Sequence, residues 1–432
     1  MMAFAERILA PLAHFGSTLK RTKLKVAHDG VLQTPSKSTR SKAAVAHVLR
    51  DALTIPCPDP TAEDRARDTH QARGQKLARL EDWEKLTAEI ASADTARLKT
   101  QGGTPVAELL AYGARADVVG AAEHGLISGR PDPGAPLLEG IEALEQVLAE
   151  HPGNVTLAAI VAQAHMDIGW AWRGTGWDIE VPPRNREAFA AHFDRAADIV
   201  NAHDSTKLDS PLLAATVCAL SAGRGGPLRR IVAHYERWIE LDPKNARAYR
   251  VFGAQLLPRW HGDYDRLELE ARRAAGRTHD VWGSGAYTWI MFDAISSDAE
   301  ACARVDLDFF LDGVRDILIN APDQHTVNLM AAYCANTMGA TPTGVDETDY
   351  IRAQIAAAAS WIVREYLTEL HPMLWAHAAR GFDNALRVRC PDKFAASGYA
   401  DALRFLTDLF RRELAAGNQV VFTKDGAETH AA

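Results

Sequence analysis

Within thirteen residues, the stretch His165-Met166-Asp167-Ile168-Gly169-Trp170-Ala171-Trp172-Arg173-Gly174-Thr175-Gly176-Trp177 carries three tryptophans, a histidine, an aspartate and an arginine. One reading is an aromatic-lined pocket in which His165 and Asp167 act as an acid–base pair beside Trp170, Trp172 and Arg173. The spacing opposes the pairing, because residues two apart on a helix face different sides. The other reading is tryptophans covering a helix end, with Arg173 stacked or paired.

A second unusual turn is Leu257-Pro258-Arg259-Trp260-His261-Gly262-Asp263-Tyr264. Arg259 and Trp260 could grip a carboxylate or an aromatic group at a rim. Alternatively the turn is rigid and Trp260 plugs the core. Trp282 and Trp289 share a face if their helix is continuous, which Gly283 and Gly285 oppose; packing is the expected role.

Other chemistry is absent from the sequence. It holds no H-E-x-x-H, G-x-S-x-G, P-loop or G-x-G-x-x-G. Sixteen histidines occur, none paired with an acid or thiol at a spacing typical of zinc, and His371 and His377 are a poor match to one helix face. No metal, no cofactor and no catalytic residue is therefore expected. The five cysteines are odd in number, widely spaced and without C-x-x-C. They read as free thiols in a reducing cytoplasm, although a Cys57–Cys390 bridge is open.

The elements that must position these residues are helical. Of 432 residues 47% are hydrophobic and 24% charged, alanine is abundant and β-branched runs are scarce, which together predict an almost all-α chain. The net charge of −8 is uneven. Residues 1–50 carry nine Lys or Arg against Glu6 and Asp29, a local +7 that leaves −15 on the rest. An acidic body does not favour polyanions, so nucleic-acid binding by the main domain is not expected. No apolar run reaches 18 residues. Phe4, Ile8, Leu12 and Phe15 share a helical face, so residues 1–28 read as a membrane-surface anchor, as a helix docked on the body or as a partly disordered arm.

The organisation follows from this. Residues 1–60 read as a basic arm and linker with one short helix near Ala43–Leu53, and residues 61–416 as the helical domain. Residues 417–432 read as a polar tail. Within the domain, helices are expected over Ala62–Ala93 as one long element, then up to Pro152 and onward through Met166. Further helices are expected over Glu187–Ala202, after a cap at Asp209 or Ser210, and over Asp263–Ala275, Ala286–Ile295 and Phe309–Asn320. The last are Thr348–Glu369, Met373–Leu386 and Tyr399–Ala416.

Three segments share one plan around a proline: LEQVLAEHPGNVTLAAIVA at Pro152, YERWIELDPKNARAYRVFG at Pro243 and VRDILINAPDQHTVNLMAA at Pro322. Apolar residues fall eight, five and four positions before each proline. Apolar residues or alanine fall five, eight and nine after it. A small residue lies ten after (Ala162, Gly253, Ala332) and an amide two after (Asn154, Asn245, Gln324). Proline ends the first helix, the amide is placed to cap the second, and the small residue permits close approach of a neighbour. Such a pair leaves an apolar face that only another pair covers, so stacking follows.

This arrangement resembles the tetratricopeptide repeat superfamily over about residues 137–338. Tyr249, Phe252, Gly253 and Gly262-Asp263-Tyr264 stand in the family's order. Departures are the two extra residues around Trp260, Trp238 in place of a small residue, and junctions 91 and 79 residues apart where repeats of about 34 are usual. The resemblance implies a right-handed α-solenoid of antiparallel helix pairs whose concave surface binds a protein or peptide without catalysis. It places Gln163, Asp167, Arg247, Arg250, Tyr333 and Asn336 on that surface, and Arg250→Glu is then expected to abolish partner recovery with the fold intact. Where the family's carboxylate clamp has an asparagine, four residues after Arg250, this chain has Ala254. The alternative function is a small-molecule sensor or enzyme at the tryptophan-rich stretch.

Overall fold

A computed structural model describes residues 52–127, 129–132, 134–174, 178–339, 342–382, 388 and 390–431. The expectations for residues 1–28 and for the short helix near Ala43–Leu53 lie outside these, as do Trp177 and most of the second half of Met373–Leu386. The described residues are all-α apart from three short strands. Among the described residues, no helix is long and apolar enough to cross a membrane.

The first helices are α1 (Ala62–Arg79), α2 (Trp83–Thr95) and α3 (Val106–Gly125). The single long helix expected over Ala62–Ala93 is thus two. Glu81 turns into the left-handed region at φ 56°, and the Asp82 carboxylate accepts from the Lys85 N–H to start α2. Thr61 and Asp64 form a reciprocal capping box on α1. Next come α4 (Glu139–Glu150), α5 (Val155–Arg173), α6 (Pro183–Asn201), α7 (Pro211–Arg224), α8 (Leu228–Leu241) and α9 (Ala246–Gln255). Ser210 caps α7 with Pro211 in its first turn, as expected.

They are followed by α10 (Tyr264–Arg277), α11 (His279–Trp282), α12 (Gly285–Ser297), α13 (Ala299–Ala303), α14 (Leu307–Asn320) and α15 (Gln324–Ala332). Gly283 at φ 57° separates α11 from α12, yet Trp282 and Trp289 still meet edge to face at 6.0 Å. A π turn, Tyr333–Met338, extends α15. The chain finishes with α16 (Asp346–Tyr366), α17 (Pro372–Ala378), α18 (Pro391–Leu409) and α19 (Arg411–Ala415).

The three proline junctions join α4 to α5, α8 to α9 and α14 to α15. Asn154 and Asn245 cap the second helix of the first two, accepting from Leu157 N–H and Arg247 N–H. At the third, Asp323 is the cap and Gln324 is already helical, so the amide has another task. Its side chain bonds Tyr366 C=O and the N–H groups of Thr368 and Glu369. The Pro243 carbonyl accepts from both Tyr249 Oη (2.8 Å) and Trp282 Nε1 (2.7 Å), which anchors that turn to the elements after it. The small residue ten after Pro243 does set a close approach: a Cβ on Gly253 would lie 1.8 Å from Ile290 C=O of α12.

Where a polar tail is expected, residues 418–431 form a hairpin. Strands β2 (Asn418–Thr423) and β3 (Gly426–Ala431) pair antiparallel, and β1 (Leu53–Thr54) joins β2 in parallel. Val420 and Phe422 alternate inward against Phe410 and Leu414 of the core, which is the period-two pattern of a half-buried strand. The linker expected up to residue 60 therefore includes a strand, with Leu53 and Ile55 buried.

Apolar packing forms two clusters. One gathers residues of α1 to α7, and the other gathers β1 with residues of α7 to the C-terminal hairpin. Helix α7 serves both, giving Leu212, Leu213 and Ala219 to the first and Ala214, Ala215 and Cys218 to the second.

Candidate functional site

All six residues expected on the concave surface are engaged inside the molecule. Arg250 of α9 makes a two-pronged bond to Asp293 of α12 at 2.8 and 2.9 Å, its guanidinium 4.6 Å from the Phe292 ring. Arg247 pairs with Glu108 of α3 and lies over the Trp238 ring. Asp167 of α5 accepts from Arg115 Nε of α3 at 2.7 Å. Gln163 donates to Thr216 of α7, and Asn336 donates to Trp375 C=O of α17. These are ties between elements, two of them to α3 and the others to α12, α7 and α17.

Tyr333 is corrected outright as a contact residue. It is 1% exposed, stacks on Phe292 at 3.8 Å and donates to the Phe292 carbonyl. The expectation that Arg250→Glu would spare the fold is corrected too, because the Asp293 side chain is only 6% exposed and would face a second carboxylate. Sequence could not show that acidic partners from α3 and α12 meet Arg247 and Arg250.

Residues 165–173 of the tryptophan-rich stretch occupy the second half of α5, and Gly174 caps it. His165 and Asp167 are not partners: they serve different neighbours, as their spacing requires. His165 Nε2 lies 2.7 Å from Glu145 Oε1 of α4, and its Nδ1 lies 2.9 Å from His192 Nδ1 of α6. Arg195, one turn along α6, grips both Glu145 oxygens at 2.7 Å. Arg195 holds the Glu145 carboxyl below its usual range, with His165 adding to it. Burial lowers His165, and burial together with His165 pushes His192 down to about 4. Two ring nitrogens in contact need one donor and one acceptor. With Glu145 accepting from His165 Nε2–H, a neutral His165 accepts at Nδ1 from a neutral His192.

Beyond this chain, Trp170 packs against Phe189 (4.5 Å) and Phe193 (5.2 Å), with Arg173 5.9 Å from its ring. Trp172 is buried beneath Arg184, and its carbonyl accepts from Asn185 Nδ2. Among its described residues the stretch is thus a packed helix end with one partly exposed aromatic face, at Trp170. Arg259 is tied to Ser297 through its hydroxyl (2.7 Å) and carbonyl, so it does not stand free at a rim. Trp260 packs partly buried against the core.

Sequence reasoning missed Glu145, His192 and Arg195, whose separations from His165 follow no helical or motif spacing. It also missed a cluster around Glu63. That carboxylate, 2% exposed, accepts from Thr100 Oγ1 (2.7 Å), Thr104 Oγ1 (3.0 Å) and Gly102 N–H (2.8 Å). A Cβ on Gly102 would strike both Glu63 and the His325 ring of α15. The only signal was the hydroxyl- and glycine-rich turn Thr100-Gln101-Gly102-Gly103-Thr104. His371 sits 6.3 Å from His325, ring to ring, and contacts Glu369 at 2.9 Å.

Among the described residues, no group of three or more His, Cys, Asp or Glu is placed to hold a metal ion. All five cysteines are free, with Cys57 and Cys390 exposed. The chemistry on offer is charge pairing and stacking along the inner helices. Comparison with known proteins finds no matching family model, no matching curated protein and no matching solved structure.

Proposed function

We propose that the chain is a right-handed α-solenoid of antiparallel helix pairs, similar in kind to tetratricopeptide repeats. In this reading it works in the cytoplasm as a non-catalytic adaptor or assembly factor that holds a protein or peptide. The observation that carries the reading is the common build of the three proline junctions. In each, a side-chain cap restarts the chain as a second helix whose apolar face is buried. A scaffold of that kind presents side chains from successive helices in a row.

The row available here is polar and paired. Arg247 and Arg250 keep about a fifth of their side-chain surface exposed beside Glu108 and Asp293. An acidic peptide group can exchange with those carboxylates, or bridge to the guanidinium edges they leave open. The discriminating variant is the swap Arg250→Asp with Asp293→Arg, which keeps an internal ion pair while changing the charge arrangement offered to a partner. Affinity purification from the native host should lose the partner with this folded variant. Unchanged recovery rejects Arg250 as a contact.

The second reading is a small-molecule sensor or enzyme at the end of α5, favoured by the Arg173–Trp170 stack. It requires that a bound aromatic or anionic ligand quench Trp170 fluorescence. Equal quenching in Trp170→Phe sets it aside.

A further inference from the structure

The outer strand of the C-terminal sheet has an open edge whose residues are matched to a copy of themselves. The strand order is β1-β2-β3, so β3 is an edge strand, and among the described residues nothing pairs with its far side. Glu428, Thr429, His430 and Ala431 are exposed. An unpaired edge is a template for another strand unless charge, proline or a bulge blunts it; β3 has no proline and no lysine, and its one charged residue is Glu428.

The register shows which groups face outward. Thr423 pairs with Gly426 across the two-residue turn Lys424-Asp425, so these two exchange the ladder bonds nearest the turn. Bonding then alternates, and Val421–Glu428 and Gln419–His430 are the next bonded pairs. The alternation is confirmed on the other side of β2, where Val420 N–H points away from β3 and donates to Ala52 C=O at 2.8 Å. On β3 it is consequently Ala427, Thr429 and Ala431 whose N–H and C=O groups point to the open edge.

An antiparallel pairing of this edge with itself must oppose outward residues to outward residues. A twofold axis at residue 428 sets Glu428 against Glu428 of the second copy, and like charges directly opposite are destabilising. An axis at 430 opposes two histidines and leaves Glu428 without a mate. An axis at 429 opposes Thr429 to Thr429, Ala427 to Ala431, and Glu428 to His430. The last is an acid–imidazole match at a non-bonded position, where side chains come closest. Within one chain, His430 Nε2 and Glu428 Oε2 are 3.3 Å apart, and Glu428 Oε1 also accepts from Thr423 Oγ1 at 3.0 Å. Both partners of the cross-strand pair therefore stand on the same face.

We propose that two copies of this chain associate through β3, antiparallel about Thr429, to form one continuous six-stranded sheet. A contact of a single short strand buries less than the roughly 1,200 Å² of a standard interface, so the dimer is weak and concentration-dependent. The inference does not rest on the solenoid reading or on any partner.

Sedimentation of the full chain over a concentration series tests it. The wild type is expected to shift from monomer to dimer as concentration rises. Thr429→Pro removes an outward N–H without touching a bond to β2, and should stay monomeric with an unchanged far-UV spectrum. Glu428→Lys should weaken dimerisation at least tenfold, and Glu428→His combined with His430→Glu should restore it. A wild type that remains monomeric at every concentration overturns the proposal. So does a dimer that Glu428→Lys and Thr429→Pro both leave unchanged.

Discussion

His192, joined to α5 through His165, is buried with its ring held well away from its ordinary titration. Its ring is pushed from an ordinary 6.5 to about 4 by burial and by His165. Between those values the unfolded chain binds a proton that the folded chain refuses. The stability it supports is therefore fully present above about pH 6.5 and is lost as pH falls toward 4. The gap corresponds to roughly 3 kcal/mol at the acid end. The groups facing the pair are Glu145 and Arg195, and Asp94 elsewhere acts with the opposite sign because burial raises it to about 6. Denaturant titration of wild type and His192→Gln at pH 7 and pH 4.5 isolates the pair: the wild type should lose more on acidification. Equal losses would show that the histidine contact does not resist protonation. Arg250 supplies a second prediction at this scale. Arg250→Glu should cost at least about 3 kcal/mol, because Asp293 is left buried beside a like charge. The Arg250→Asp, Asp293→Arg swap should recover most of that loss in the same urea titration.

The elements are positioned by close approach as much as by apolar stripes. Helix α9 meets α12 where Gly253 has no side chain, and an added methyl would sit 1.8 Å from the Ile290 carbonyl. Gly253→Ala should therefore destabilise by about 1–3 kcal/mol as the two helices are forced apart. Gly276, exposed near the end of α10, has nothing within 4 Å of an added Cβ. Gly276→Ala should be neutral or stabilising by up to about 1 kcal/mol. Thermal unfolding of the pair separates crowding from helix propensity: similar shifts would contradict the packing argument. The same scale shows how far the sequence was readable. The proline junctions, the Ser210 cap and, to within two residues, the ends of α10, α12 and α14 were legible because capping and apolar period are local. The break at Glu81 was not, since one residue enters the left-handed region inside an otherwise helical pattern. The C-terminal hairpin was missed because β3 is polar and only Val420 and Phe422 of β2 face the core.

At the scale of the whole molecule, the two apolar clusters are sewn together by the end of α2 and the segment that follows it to α3. Asp94 accepts from Ser210 Oγ (2.5 Å) and Leu212 N–H (3.0 Å) at the start of α7. Arg97, at φ 53°, donates to Leu241 C=O and pairs with Asp209, while Lys99 pairs with Asp242 at 2.5 Å. Glu63 and Gly102 carry the same segment to His325. With α7 common to both clusters, unfolding should be one transition, superimposable by tryptophan fluorescence and far-UV dichroism. Asp94→Ala removes the external cap of α7 and should cost about 1–3 kcal/mol. It should also lower the urea m-value as the halves begin to separate. Coincident curves with an unchanged m-value in Asp94→Ala would show that the apolar contacts of α7 alone couple the halves.

By itself the sequence determined that this chain is helical, where its prolines reverse it, and which residues share a helix face. Those properties depend on neighbours within a few positions. Tertiary structure alone decided what those faces meet. Arg247, Arg250 and Asp167 look like open binding positions until Glu108, Asp293 and Arg115 arrive from helices 139, 43 and 52 residues away. The i, i+2 spacing already separates His165 from Asp167, but only the fold brings Glu145 and His192 to both nitrogens of His165. A charge in water needs no particular mate, whereas a charge brought to a helix interface must find one, and only the fold fixes which.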